Sequence, residues 1–370
     1  MKKNFPLSTF LTEYKEKNDG NKYKPVAVGR YGIRTRESIY SKELAKDYSK
    51  NKLIFKNTLT VGMGSAQIDI GVLTDDIIYS VSPAYHTYRV TGINANFLRY
   101  CLECRNHDMF VRFVKRGSRQ GKTIDFKRWL TYEIPVYDDT TQTKIVERLD
   151  MVSKLIKERQ RQLGCFDELV KSRFVEMFVR EKNSVKMKDI CSIITDGTHQ
   201  PPKFVSKGIP FIFVANITKN EVNYNTEKFI DQHTYDELVK RTPIEVGDII
   251  LSTVGSYGHS AVIKSNKKFL FQRHIAYLKP KRNLVNSEYL HSAILMDDIQ
   301  KQIDDQVKGI AQKTLNLSAI KAIDVLLPSV DKQKEFVEFK QQVNKSKFEV
   351  QKSLEKLELL KKSLMQKYFG

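Results

Sequence analysis

The sequence predicts an α+β protein that follows one plan twice: a mixed α/β half, then a long helix. Three observations carry this expectation. At 370 residues the chain is too long for one ordinary core and suits two domains with connecting elements. Short motifs recur along it at one offset. Two segments, one per half, carry the alternating four- and three-residue apolar spacing of a helix that packs along a seam.

The repeat comes first, because a fixed period decides architecture before local propensity does. Gln142-Thr-Lys-Ile145-Val146-Glu147 returns as Gln333-Lys-Glu-Phe336-Val337-Glu338, an offset of 191. The same offset carries Leu163 to Leu354, Phe166 to Leu357, Leu169 to Leu360, Ser172 to Ser363, Phe178 to Phe369 and Gly64-Ser65 to Gly255-Ser256. Close to it, Asn94 and Asn286 each open an amphipathic run. Gly117, Gln120 and Lys122-Thr123 answer Gly309, Gln312 and Lys313-Thr314. No single match is specific, but their common spacing indicates duplication.

In chain order, apolar runs at 25–28, 53–55 and 76–81 predict short strands in the first half, and those at 208–214, 247–252 and 260–263 in the second. Amphipathic helices are expected at about 94–116 and 286–307. The long helices begin just after Pro135 and Pro328, and 179–186 reads as a polar link. The first seam runs through Ile145, Leu149, Val152, Ile156, Arg159, Leu163, Phe166, Val170, Arg173 and Met177. The second runs through Val343, Lys347, Val350, Leu354, Leu357, Lys361, Leu364 and Tyr368. Each helix of about 37 residues would be roughly 55 Å long, and the two are expected to pack on each other as a stiff ruler. The alternative makes each helix an ordinary core element of its own half. Charged flanks (Lys157, Glu158, Arg161; Lys352, Glu355, Lys356) favour the exposed pair. The expected division is 1–138, 139–180, 181–330 and 331–370.

Lys and Arg number 63 against 43 Asp and Glu, a net charge of +20. That excess points to a polyanionic partner, nucleic acid ahead of a membrane surface; a lysine-rich surface serving only solubility is the bland alternative. No run of about 18 apolar residues could span a bilayer. The first residues lack a signal-peptide core, and four scattered cysteines suit a reducing compartment, so a cytoplasmic protein is expected.

Several motifs invite chemistry that their context does not support. Gly117-Ser-Arg-Gln-Gly121-Lys122-Thr123 has one residue too few between its glycines for a phosphate-binding loop. Cys101 and Cys104 have no second thiol pair and suit packing in a helix better than zinc. The seven histidines show no metal spacing. Methyl transfer to a base would need a glycine-rich cofactor loop and an Asn/Asp-Pro-Pro-aromatic motif, whereas Pro201-Pro202 follows Gln200. Glu338-Phe-Lys340 lies in the second long helix, where a solvated or seam position is expected. The chain therefore reads as supplying an address and no catalysis.

Thr195-Asp196-Gly197-Thr198-His199-Gln-Pro-Pro, Gly208-Ile209-Pro210-Phe211-Ile212, Gly247-Asp248-Ile249 and Gly255-Ser256 resemble a target recognition domain of type I restriction–modification specificity subunits. The pattern Gly117, Gln120, Ile134-Pro135, Gln142-Thr-Lys-Ile-Val146 and its copy Gly309, Gln312, Leu327-Pro328, Gln333-Lys-Glu-Phe-Val337 resemble the same family, over essentially the whole chain. The resemblance implies two recognition domains on an antiparallel two-helix coiled coil, each reading one half of a split double-stranded DNA target. It also implies two docked adenine-methyltransferase subunits and, where present, restriction and translocase subunits. S-adenosylmethionine and ATP with magnesium would bind those partners; no cofactor is expected in this chain. The first half departs from the pattern, with Val28-Gly-Arg-Tyr-Gly-Ile33 where the Asp-Gly-Thr-His run would stand. An asymmetric target is therefore expected.

Glycine loops carrying amides, hydroxyls and cations can approach a duplex closely. In the first half the candidates are Arg30, Tyr31, Arg34, Ser65, Gln67, Arg119 and Gln120. In the second they are Thr198, His199, Gln200, Ser256, Tyr257, His259 and Gln312. Lys115, Arg116, Lys122, Lys308 and Lys313 are expected at phosphates; the plainer reading makes these residues hairpin turns and solvated cations. The seam residues, chiefly Ile145, Leu149, Val152, Ile156, Leu163, Phe166, Val170, Val343, Val350, Leu354, Leu357 and Leu364, are expected to form the coiled coil that docks partners. A scaffold or RNA-binding coiled-coil protein is the runner-up.

Overall fold

The computed structural model describes residues 2–39, 47–116, 121–307 and 313–370, without the side chains of Asn21 and Arg116. Arg119, Gln120, Lys308 and Gln312 lie outside the described residues. The chain forms two compact units, 1–161 with 351–370, and 162–350.

In the first unit, an antiparallel sheet orders its strands Leu11–Glu13, His86–Val90, Thr58–Met63 and Ile68–Leu73. Lys3–Pro6 pairs with Glu133–Val136, where Pro135 costs little because the ladder has two strands only. A hairpin, Val26–Gly29 with Gly32–Thr35, stands beside the sheet. The second unit repeats the frame. Its sheet orders Cys191–Asp196, Ile275–Pro280, Ile249–Ser252 and Ser260–Val262. In place of the hairpin stands a three-stranded sheet of Phe229–Ile230, Ile209–Ile212 and Leu270–Phe271.

The expected helix at 94–116 is two helices, Ala95–Cys104 and Asn106–Phe113, followed by strand Val114–Arg116. Arg105 breaks the first at φ −95°, ψ 7°. Val114 then turns extended to pair with Ile124. The one at 286–307 likewise breaks, at the extended Met296, into Ser287–Ile294 and Asp297–Gln306. Within the expected link 179–186, Ser184–Lys186 is a strand paired with Asp324–Leu326.

Both long helices run 40 residues, Asp139–Phe178 and Val330–Phe369. Every residue of the expected seams is buried or half-buried. Inside each unit the helix segments run antiparallel: Arg148 donates to the Tyr368 hydroxyl in the first, and Arg173 to Glu335 and Lys347 to Asp167 in the second. Their ends are also core elements. Ile145, Leu149, Tyr368 and Phe369 close the first core, while Phe174, Phe178 and Phe336 form an aromatic cluster with Tyr289 in the second. Cys101 belongs to the first core, where burial pushes its thiol up to about 12. Lys340, expected as a solvated or seam residue, is instead enclosed against Glu288, His291 and Ser292.

Candidate nucleic-acid interface

In the second unit the sheet ends at Asp196, and the chain crosses the neighbouring strand at Gly197. A Cβ there would overlap the Phe271 and Gln272 carbonyls, so glycine is what permits the crossing. The Thr198 amide donates to the Phe271 carbonyl at 2.9 Å, and the Arg273 amide donates to the Thr198 carbonyl at 3.0 Å. This fixed frame presents His199 and Gln200, both exposed. Arg241 ion-pairs with the Asp196 carboxylate and donates to its carbonyl. His199 Nε2 stands 2.9 Å from Asp196 Oδ2 and 3.2 Å from the Arg241 guanidinium. A ring protonated at Nε2 donates to Asp196; one protonated at Nδ1 accepts from Arg241.

The 253–258 turn uses Gly255 and Gly258 at positive φ, and a Cβ at Gly258 would press on Gln300 at 2.7 Å. Ser256 is exposed at its tip. Tyr257 is half-buried and spends its hydroxyl on Asp304 at 2.9 Å, with Lys313 over its ring at 5.8 Å. His259 is also half-buried, its amide held by the Ser252 hydroxyl. A cavity of about 280 Å³ lies between these loops, lined by Asp196, Thr253, Arg273, His274, Thr314 and Asn316. Burial and the Arg273 charge lower the His274 proton affinity.

In the first unit, Arg30 and Tyr31 occupy the tip of the 26–35 hairpin, where Gly32 takes φ 75°. Arg34 lies on the returning strand; its guanidinium and that of Arg30 flank the Tyr31 ring at 5.1 and 5.8 Å. The 64–67 turn is closed by the Gly64 amide on the Gln67 carbonyl, leaving Ser65 exposed and Gln67 half-exposed. Lys122 donates to the Ser65 carbonyl at 2.8 Å and lies over Phe110. Lys115 is paired with Asp125 at 2.6 Å. Both lysines therefore hold partners within the chain, while Arg116 contributes backbone to the 114–116 strand.

Arg241, Arg273, His274 and Asn316 join the second unit's candidates without having been expected. Arg241 is far in sequence from Asp196, and only the fold joins them. The run Gln272-Arg273-His274 did carry a signal: a basic break between two apolar strands. Among the described residues, no group of three His, Cys, Asp or Glu side chains could hold a metal ion.

The family model for the type I restriction modification DNA specificity domain matches residues 8–163 and 180–361. The chain is 29% identical over 141 residues to the type I restriction enzyme EcoBI specificity subunit of Escherichia coli, covering 38% of this chain and 30% of that protein. It is 23% identical over 190 residues to the putative type I restriction enzyme MjaX specificity subunit of Methanocaldococcus jannaschii, covering 50% and 44%. These matches span less than half the length of either relative. Among solved structures, it is similar to the type I restriction–modification S subunit from M. genitalium, with TM-score 0.56, 14% identity and coverage of 100% and 96%. A structure reported for complex assembly and conformational transition of the type I system gives TM-score 0.59, 16% identity and coverage of 100% and 97%. At such identities the likeness establishes a shared fold.

Proposed function

Because this chain belongs to the type I restriction modification DNA specificity family, we propose that it is the DNA-addressing, non-catalytic subunit of a cytoplasmic type I complex. It reads an asymmetric, two-part target in double-stranded DNA, one part per recognition domain. Segments 1–138 and 181–330 do the reading; 139–180 and 331–370 set the spacing and dock two adenine-methyltransferase subunits. Restriction subunits join where the system has them. Flipping and methylating the adenine belong to the partners, which bind S-adenosylmethionine.

The observation that carries this reading is a shared frame with unlike loops. Both units hang the same sheet order on the same tie between a helix-capping Asn and a buried Gln, Asn94 with Gln142 and Asn286 with Gln333. Yet one presents an Arg-Tyr-Arg hairpin and the other an Asp-His-Arg loop. Two readers of one construction with different faces suit a split, asymmetric target. Docking is supported by apolar side chains exposed on the long helices, including Met151, Val175 and Leu359 at 66%, 55% and 68%. A chain freed of its partners is accordingly expected to be poorly soluble.

The test is a spacer experiment. Target duplexes enriched from a random pool are competed against copies whose spacer is longer by two base pairs. A rigid pair of readers loses about tenfold or more in affinity, because the second half-site rotates off its face. Undiminished binding refutes the ruler.

A further inference from the structure

We infer that the tip of the 26–35 hairpin is a minor-groove reader, with Arg30 and Arg34 measuring groove width and Tyr31 acting as an apolar wedge. This rests on the DNA-addressing function proposed above and assigns a groove and a mode of contact to one part of it.

The hairpin is a rigid arm. Val26 and Val28 on its first strand are 1% and 3% exposed and join a small core with Ile54, Leu73 and Val81. On the returning strand Ile33 packs over Gly71, where a Cβ would stand 2.5 Å from the Ile33 side chain. The Tyr85 hydroxyl donates to the Val28 carbonyl at 2.9 Å. Each strand has four residues, and one face of this short ribbon is committed to the core.

What projects is therefore the tip. Tyr31 is 69% exposed, a high value for an aromatic ring. The guanidiniums that flank it are themselves exposed, and among the described residues none of the three side chains has an ion-pair or hydrogen-bond partner. The exposed ring costs solvation, and beyond its contacts with the two guanidiniums the tip adds nothing to the core.

Size and chemistry then select the groove. A two-stranded ribbon reads the major groove, about 12 Å wide, by laying a face along it; this ribbon is four residues long with a face already buried. A two-residue tip matches the minor groove, about 6 Å wide. Arginine is drawn to the enhanced negative potential of a narrow A·T-rich minor groove. An apolar or aromatic side chain beside it can wedge between base steps. The tip also lacks Asn and Gln, the side chains that read adenine bidentately in the major groove. In the second unit the corresponding antiparallel pair, Ile209–Ile212 with Phe229–Ile230, is joined through residues 213–228 and so has no two-residue tip.

The experiment uses the full chain and the target duplexes it enriches from a random pool. In the half-site lost when Tyr31→Ala is introduced, A·T pairs are replaced either by inosine·cytosine or by G·C. Inosine·cytosine presents G·C in the major groove and A·T in the minor groove. The expected result is affinity retained within about twofold with inosine·cytosine and lowered about tenfold with G·C. Arg30→Ala, Arg34→Ala and Tyr31→Ala each shrink that difference, Tyr31→Phe preserves it, and the other half-site is read as before in every variant. Equal losses with both replacements place the contact in the major groove and overturn the inference. So does a Tyr31→Ala protein that reads both half-sites unchanged. A wild-type chain that enriches no sequence refutes DNA addressing itself, a different outcome from either.

Discussion

The two units agree in what they bury and differ in what they expose. Gln142 and Gln333 are 1% and 0% exposed. Each accepts from the amide of the Asn that caps an upstream helix, Ala95–Cys104 or Ser287–Ile294, at 3.0 and 2.8 Å, and donates to the carbonyl five residues before it, at 2.7 and 2.9 Å. An orphaned buried amide costs the same whatever the outer loops contact, so both halves have the tie. One layer outward the agreement stops. Leu149 fills the first core, and at the equivalent offset the second unit has Lys340. The loops share still less. The closer a residue lies to the interior frame, the more the duplication still governs it.

The largest effect should come from breaking the feature that separates the two interiors. Lys340 donates to Glu288 Oε2 at 2.8 Å and to the Ser292 hydroxyl at 2.9 Å, with its side chain 12% exposed. Burial lowers its proton affinity, and Glu288 opposes that shift. Lys340→Ala leaves Glu288 with only the more exposed Lys264 ammonium at 3.9 Å and should cost about 3 kcal/mol, read as a lower urea midpoint for the second unit. Glu288→Gln with Lys340→Met brings the site closer to the apolar first unit and should recover most of the loss; a double variant as unstable as the single one breaks the argument. Next come the shared ties. Gln333 makes a further bond to the Leu284 carbonyl. Gln333→Ala should therefore cost roughly 3 kcal/mol and Gln142→Ala roughly 2 kcal/mol. Equal losses would show that the ties are not counted bond by bond.

The comparison also predicts a pH response from the second unit's interior, where a buried histidine stands beside Lys340. His291 donates from Nε2 to the Ser260 carbonyl at 2.9 Å and faces Lys340, Glu288 and Lys264. Burial, then the Lys340 charge, lowers it to about 4. A histidine depressed in the folded state binds fewer protons than in the unfolded one between its two values. Its stabilisation is therefore full above about 6.5 and lost as pH falls towards 4, on the order of 3 kcal/mol. Arg99, the first unit's counterpart, keeps its charge throughout this range. Thermal or urea unfolding of His291→Gln should flatten the slope between pH 6.5 and 4, leaving only the smaller contributions of His86 and His274. A slope unchanged in that variant assigns the effect elsewhere. Glu288, held below the usual carboxylate range by Lys340 against an opposing burial effect, adds its own loss only at lower pH.

The sequence made the frame legible because its signals are periodic. The offset of 191 locates both Gln ties, and every heptad residue along both long helices is buried or half-buried. It did not show that helix 94–116 breaks at Arg105, since the amphipathic period continues past a turn that backbone geometry alone imposes. Nor did it show that the helix ends join the cores: Phe174 lies one position beside the first seam, and Phe336 lies one heptad before the first residue of the second. The candidate interface was legible as loops, through the glycines at 32, 197, 255 and 258, because a crossing or a positive φ demands that residue. Side-chain partners were not. Lys115 and Arg241 are both basic surface residues in sequence. Their acids, Asp125 and Asp196, stand 10 and 45 positions away, and only the fold selects them.

Those two residues give the smallest and last contrast. Arg241 neutralises Asp196 at the edge of the loop that presents His199 and Gln200. In Arg241→Ala the carboxylate faces a phosphate uncompensated, and affinity for target DNA should fall about tenfold. Adding Asp196→Asn should return part of it. Lys115 differs, because Asp125 already holds its ammonium at 2.6 Å and burial plays little part. Lys115→Ala should change DNA affinity by less than about twofold, as exposed pairs contribute little. Asp125→Asn is the sharper variant: it frees the ammonium for phosphate, raising affinity slightly and steepening the salt dependence by about one released counterion. An unchanged salt slope for Asp125→Asn would mean that Lys115 lies off the DNA path altogether.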